Sequence, residues 1–173
     1  MIFTVENLLL LGVLIIATIT DIRSHRIPNW LTLPAIITGL GLNLISGGAN
    51  GLLFSIEGLL LGIGLFIVLY IMGGMGAGDV KLMGAVGAML GPQMVLMAAF
   101  YTAIAGGIYA VVVILFYPRA RAKRRAIAET IKGFIYFKTF NYDKPSDEQN
   151  SPKLCYGVAI AIGTIAAVVL KSV

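Results

Sequence analysis

The apolar residues of this chain fall in long unbroken runs, not in strand-like alternation and not on one stripe of a helix. A helix that is apolar all round belongs in a large core or in a bilayer. The runs recur at about 5–20, 31–46, 52–72, 80–91, 94–116 and 154–170, each bounded by a polar or glycine-rich break. Most approach the roughly 20 residues needed to cross a hydrocarbon core. The pattern predicts an all-α fold: a polytopic membrane helix bundle with six transmembrane helices, forming one domain over 1–173. The fourth run, Val80 to Gly91, holds only 12 residues. That is about 18 Å at ~1.5 Å per residue, against a core about 30 Å thick. It reads as a half-span, or as a tilted helix in a locally thin site. Within the breaks, Asn29 is a candidate N-cap for the second span, with Pro28 discouraging helix before it. Pro34 then falls in the first turn, where proline does least harm. Gly47-Gly48-Ala49-Asn50-Gly51 and Gly91-Pro92-Gln93 read as turns. The Gly58/Gly62 and Gly87/Gly91 spacings suit close helix packing.

Charge sets the orientation. Only 12% of the 173 residues are charged, about half the share in a soluble domain. A net charge of +5 would suit nucleic acid, but the placement argues otherwise: nine of the 13 Lys and Arg lie between Arg119 and Lys153. That concentration makes 117–153 a basic cytoplasmic loop. With six spans and both ends outside, twelve basic residues fall inside and only Lys171 outside. Within the loop, Ile127, Ile131, Phe134 and Ile135 share one helical face beside basic neighbours, as in an amphipathic helix on an anionic leaflet. Trp30 has the interfacial preference of its ring. The start of the chain has no basic n-region, so Val5 to Thr20 reads as a retained span and not a signal peptide. A single cysteine, Cys155, excludes an internal disulfide and a cysteine-cluster zinc site.

The chemistry concentrates in Gly73-Gly74-Met75-Gly76-Ala77-Gly78-Asp79-Val80-Lys81-Leu82. A carboxylate placed between apolar runs is costly and needs a reason. The glycines let the backbone leave the helix and approach other groups closely. Asp21 lies 58 positions earlier, at the end of the first span. Two crossings separate it from Asp79, so the topology returns both to one membrane face. Two carboxylates within reach of one water cannot both ionise easily. The charged one can draw a proton from water while the protonated one polarises a carbonyl, the pairing that amide hydrolysis requires. The pair titrates as a unit, and neither has a fixed role. Plainer readings stand beside this one: Asp79 as a helix cap, Asp21 as an interfacial acid near Arg23. Lys81 either tunes or steers at the site or simply flanks a span. Glu57 faces the bundle or snorkels outward. His25 reads as a solvated loop residue and Cys155 as an inert bundle thiol. No phosphate loop, metal pattern or dinucleotide fingerprint appears, so no cofactor and no metal are expected.

Gly76-Ala77-Gly78-Asp79 is the Gly-x-Gly-Asp motif of intramembrane aspartic proteases. Its surroundings, and the stretch Asp21-Ile22-Arg23-Ser24-His25-Arg26-Ile27-Pro28-Asn29-Trp30-Leu31-Thr32, resemble the type IV prepilin peptidases. Tyr156-Gly157-Val158-Ala159-Ile160-Ala161 also looks familial. The likeness is nearest to the short, peptidase-only form that serves tight-adherence (Flp-type) pili. The resemblance implies an inner-membrane hydrolase with Asp21 and Asp79 as its catalytic dyad, supported by Gly76, Gly78 and Lys81. It implies cleavage of prepilin leaders at the cytoplasmic face. The implied partners are a prepilin, which is a single-pass helix with a basic leader, membrane lipid and the pilus assembly machinery, with no nucleic acid. Two rival readings remain at this stage. One is a transporter or channel component with Asp79 on a proton or ion path; the other is a non-catalytic assembly scaffold.

Overall fold

The computed structural model describes residues 5–116 and 155–171, without the side chains of 113–116. The basic loop 117–153 and its amphipathic stretch lie outside the described residues. Among the described residues four helices follow in order: α1 (Val5–Ser24), α2 (Asn29–Ile71), α3 (Ala77–Phe116) and α4 (Tyr156–Lys171). Three of them, α1, α2 and α3, are long and apolar enough to cross a membrane. Large hydrophobic side chains such as Ile37, Leu60 and Ile108 point outward along them. A helical protein with so much exposed apolar surface is a membrane protein. By their contacts the residues form two units. The one described below holds everything up to Gly106 together with α4; the other begins at Gly107 and among described residues holds only the end of α3.

The turns expected at 47–51 and 91–93 contract to single residues. α2 breaks at Gly48, with φ 59° and ψ −141°, and α3 breaks at Gly91, with φ 80° and ψ 179°. Both are conformations that only glycine adopts freely. The break at Gly48 reverses the chain: a methyl group at Gly51 would run into the backbone carbonyl of Asn43. Each long helix is therefore two arms, 29–47 and 49–71 in α2, and 77–90 and 92–116 in α3.

The first arm of α3 is the centre. Every residue from Leu82 to Met89 is buried, the pattern of a helix covered on all sides. Both arms of α2 pack on it through glycines. Gly39 lies against Ala88, Gly58 faces Gly87, and Gly62 faces Met83. Small residues let helix backbones approach this closely. The carbonyl of Ala88 accepts from both arms, from Asn43 Nδ2 at 3.2 Å and from Ser55 Oγ. Asn29 at the start of the first arm meets Lys81 and Gly39 further on meets Ala88, so that arm lies parallel to the α3 arm, whereas the Gly58–Gly87 and Gly62–Met83 contacts make the second arm antiparallel. α4 lies antiparallel to the second arm of α3, with Gly163 against Thr102 and Gly106 against Tyr156 and Ala159. It also runs antiparallel to α1: Asp21 meets Gly157 at one end, and an apolar cavity lined by Leu8, Leu11, Ile165 and Val169 lies at the other.

The structure differs from the sequence expectation at Asn29, at Pro34 and at the start of α3, and it decides between the two placements left open for Glu57. α2 begins at Asn29 with Pro28 in the capping position and no side-chain cap, so Asn29 is a helical residue and not the N-cap. Pro34 accordingly falls beyond the first turn, where its missing N–H leaves the carbonyl of Trp30 without its intrahelical donor. α3 begins three residues earlier than Val80, at Ala77. Glu57 is exposed, which places it on the outside of the bundle.

Candidate active site

Asp79 is built into the start of α3. The end of α2 closes through Gly73 N–H to the Tyr70 carbonyl at 2.9 Å and Gly74 N–H to the Leu69 carbonyl at 3.0 Å. Gly76 then caps α3, and Asp79 is the third helical residue. Its N–H donates to the Gly76 carbonyl at 3.1 Å, and its Oδ2 accepts the Gly76 N–H at 2.9 Å. This is the returning half of a capping box, and it satisfies a backbone donor at the positive end of the helix. The residue is only 7% exposed, and Oδ1 is buried and accepts no hydrogen bond from the described residues. One oxygen of the carboxylate therefore holds the helix start, and the other is uncommitted.

The two glycines of the motif do different work. Gly76 supplies the cap. Gly78 supplies contact: a methyl group there would come within 2.9 Å of both the Cβ and the carbonyl oxygen of Ile27. Ile27 belongs to the short connection between α1 and α2, so this close approach seats that connection, and the end of α1 before it, on the start of α3.

Asp21 sits in the last turn of α1 and is 5% exposed. Its Oδ2 accepts the backbone N–H of Gly157 at 2.8 Å, in the first turn of α4. Its carbonyl accepts the N–H of His25 at 2.8 Å. Thus each aspartate has one oxygen on a backbone N–H at a helix start, where a carboxylate is favoured. The ends of α1 and the starts of α3 and α4 meet at one end of the bundle, close enough that the charge of Asp21 acts on the Asp79 carboxyl. The charge of Asp79 in turn acts on the half-buried Tyr156 phenol. Lys81 lies at the same end. Its ammonium donates to Asn29 Oδ1 at 2.8 Å, tying the start of α2 to α3.

The structure thus brings Asp21, Asp79, Gly76, Gly78 and Lys81 to one end of the helices. It adds Gly157 and Tyr156, which in the sequence stand out only as part of a familial stretch. It also places Cys155, read from the sequence as an inert bundle thiol, with its Sγ 3.3 Å from His25 Nδ1. Among the described residues no group of three or more His, Cys, Asp or Glu is placed to hold a metal ion.

Fold and site together define a class: a helical membrane protein whose buried ionisable groups include a pair of aspartates held at helix ends. Residues 8–111 match the type IV leader peptidase family, and the chain belongs to that family. It is similar to two proteins described as prepilin leader peptidase/N-methyltransferase, one from Aeromonas salmonicida strain A449 and one from Aeromonas salmonicida. Each is 32% identical over 118 residues, which is 65% of this chain and 40% of the relative. The chain spans less than half the length of these relatives. No solved structure matches it. The family match includes both aspartates and the glycine motif; α4, with Gly157, lies beyond it.

Proposed function

We propose that this protein is a membrane-embedded aspartic endopeptidase. It removes the leader peptide from type IV prepilins of the Flp type, at the cytoplasmic face of the inner membrane. The observation that carries the reading is the pairing of two buried carboxylates, each tethered through one oxygen to a backbone N–H. A tethered carboxylate cannot swing away, so the groups are held in position for attack at a bound amide. One carboxylate takes a proton from water as the oxygen attacks the scissile carbonyl carbon. The protonated partner gives its proton to the carbonyl oxygen. The tetrahedral intermediate then collapses, the C–N bond breaks, and a proton passes to the departing amine. Asp21 and Asp79 share these tasks as a coupled unit.

The proposed topology is six crossings. Across the break at Gly48, the arms of α2 measure roughly 28 and 34 Å by helical rise, each near the thickness of a hydrocarbon core. The first arm of α3 measures only about 21 Å, which supports a depth for Asp79 below the inner surface. A prepilin is itself an apolar helix behind a basic leader, and its scissile bond would lie at that depth. The helix docks side-on and unwinds at the cut, because helical amides are shielded.

The test is co-expression with candidate prepilins. Asp21→Asn and Asp79→Asn each abolish processing while protein level holds; mature pilin from either variant overturns the dyad. For the topology, single cysteines introduced as Ser24→Cys and Lys144→Cys in a Cys155→Ser background react with an impermeant reagent from the cytoplasmic side alone.

A further inference from the structure

The chain has one cysteine and one histidine, 130 residues apart in sequence, and the fold puts them together. Cys155 immediately precedes α4, in its N-cap position. Its Sγ lies 3.3 Å from His25 Nδ1 and 3.9 Å from the Asp21 carbonyl oxygen. An imidazole at that distance can take the thiol proton, and the positive end of a helix favours the thiolate left behind. Cys155 is half-buried and His25 is exposed, so the pair is open to a small reagent. Among the described residues, the groups opposing a thiolate include the Asp21 carboxylate and the carbonyl end of α1. Asp21 is bonded to the Gly157 N–H, and that bond answers part of its charge.

We propose that Cys155 and His25 form a reactive thiol site that takes low-molecular-weight disulfides, and that filling it unseats Asp21. His25 accepts the Sγ proton, and the thiolate attacks one sulfur of the disulfide. A new S–S bond to Cys155 forms as the old one breaks, and the departing thiolate takes the proton back from the imidazolium. Cys155 is oxidised to a mixed disulfide, and half of the reagent is reduced to a thiol. The adduct sits two residues before Gly157, wedged against the end of α1. There is no slack at that point: even a methyl group on Gly157 would meet Asp21 Oδ2 at 2.9 Å. The group therefore pushes α4 from α1 and breaks the bond that orients Asp21. This second half of the proposal rests on the peptidase reading.

Detergent-purified protein is incubated with oxidised glutathione, and its intact mass is followed in time. Wild type gains one glutathionyl group, and Cys155→Ser gains none; serine is a good N-cap, so α4 keeps its start. His25→Asn removes the imidazole yet tolerates the positive φ of 50° at that position. It slows adduct formation on the order of tenfold. Equal rates for wild type and His25→Asn overturn the site. Prepilin cleavage falls at least tenfold in adducted wild type and returns on reduction, while Cys155→Ser treated in the same way cleaves normally. Adducted wild type that cleaves at full rate overturns the link to Asp21. Untreated protein that cuts no prepilin counts against the peptidase reading, and the adduct rates still decide the thiol site.

Discussion

Gly157→Ala is the most informative single substitution in this protein. The N–H of Gly157 holds Asp21 Oδ2 at 2.8 Å. A methyl group at Gly157 would stand 2.9 Å from that oxygen, 3.1 Å from the Asp21 Cβ and 3.2 Å from its Cγ. Carbon contacts are comfortable only at about 3.5–4.0 Å. Asp21 has one short side chain on a packed helix end, so relief comes from turning the carboxylate off the N–H. That gives up a charge-assisted hydrogen bond of about 1.5–3 kcal/mol. Alanine in place of glycine inside a helix returns roughly 0.5–1 kcal/mol. The net loss of stability is therefore about 0.5–2.5 kcal/mol, small enough for the protein to stay folded. Catalysis is less tolerant: displacing a catalytic group by about 1 Å can lower the rate on the order of 100-fold. The expected result is a 10- to 100-fold fall, roughly, in prepilin cleavage by detergent-purified protein, with thermal unfolding shifted by only a few degrees. Gly12→Ala is the control, since nothing lies within 4 Å of a methyl group there; it leaves cleavage unchanged. Wild-type cleavage by Gly157→Ala would refute the claim that this N–H positions Asp21.

Two further substitutions separate architecture from chemistry. Asp79→Asn keeps an oxygen for the Gly76 N–H, so its unfolding temperature stays within a few degrees of wild type while cleavage disappears. Asp79→Ala loses the cap as well and is less stable than Asp79→Asn by about 1 kcal/mol; equal stability of the two would remove the capping role. Gly87→Ala places a methyl group on the Gly58 backbone, where the second arm of α2 packs directly on α3. Overpacking of this kind costs typically 1–3 kcal/mol, read as a lowered unfolding temperature in detergent, and an unchanged temperature would show that the arms can part freely.

The sequence reveals helices more readily than it reveals their partners. Long apolar runs and the glycine clusters between them are enough to place α1 to α4 and the reversals near Gly48 and Gly91. The lengths of those reversals are not legible, because a break at one glycine and a five-residue turn leave the same composition. Asp79 stands out because an acid among apolar runs and glycines has few bland explanations. Asn29 misleads because capping is a local preference, whereas its amide oxygen is taken by Lys81, 52 residues on. The same limit hides Gly157 and the Cys155–His25 pair. Periodicity says which face of a helix is apolar and nothing about which distant N–H a carboxylate will meet.

The strongest alternative account of Asp79 is that it only caps a helix, and the division of its two oxygens decides how far that account goes. Capping explains Oδ2, which accepts the Gly76 N–H. It explains neither the burial of the residue nor Oδ1, which is enclosed and accepts nothing from the described residues. A cap works as well in water, and a buried oxygen without a donor is a standing penalty. Capping also requires nothing opposite, yet Asp21 is brought to the same end by a different helix and is held through the N–H of a third. Neither carboxylate oxygen pairing is local to the other, so two independent tethers converge where one would serve a cap. On the proposed reading the penalty has a function: the free oxygen is the one that exchanges a proton with water and with its neighbour. The Asp79→Asn variant distinguishes the two accounts, because the amide can satisfy Gly76 as the acid does but cannot take up a proton.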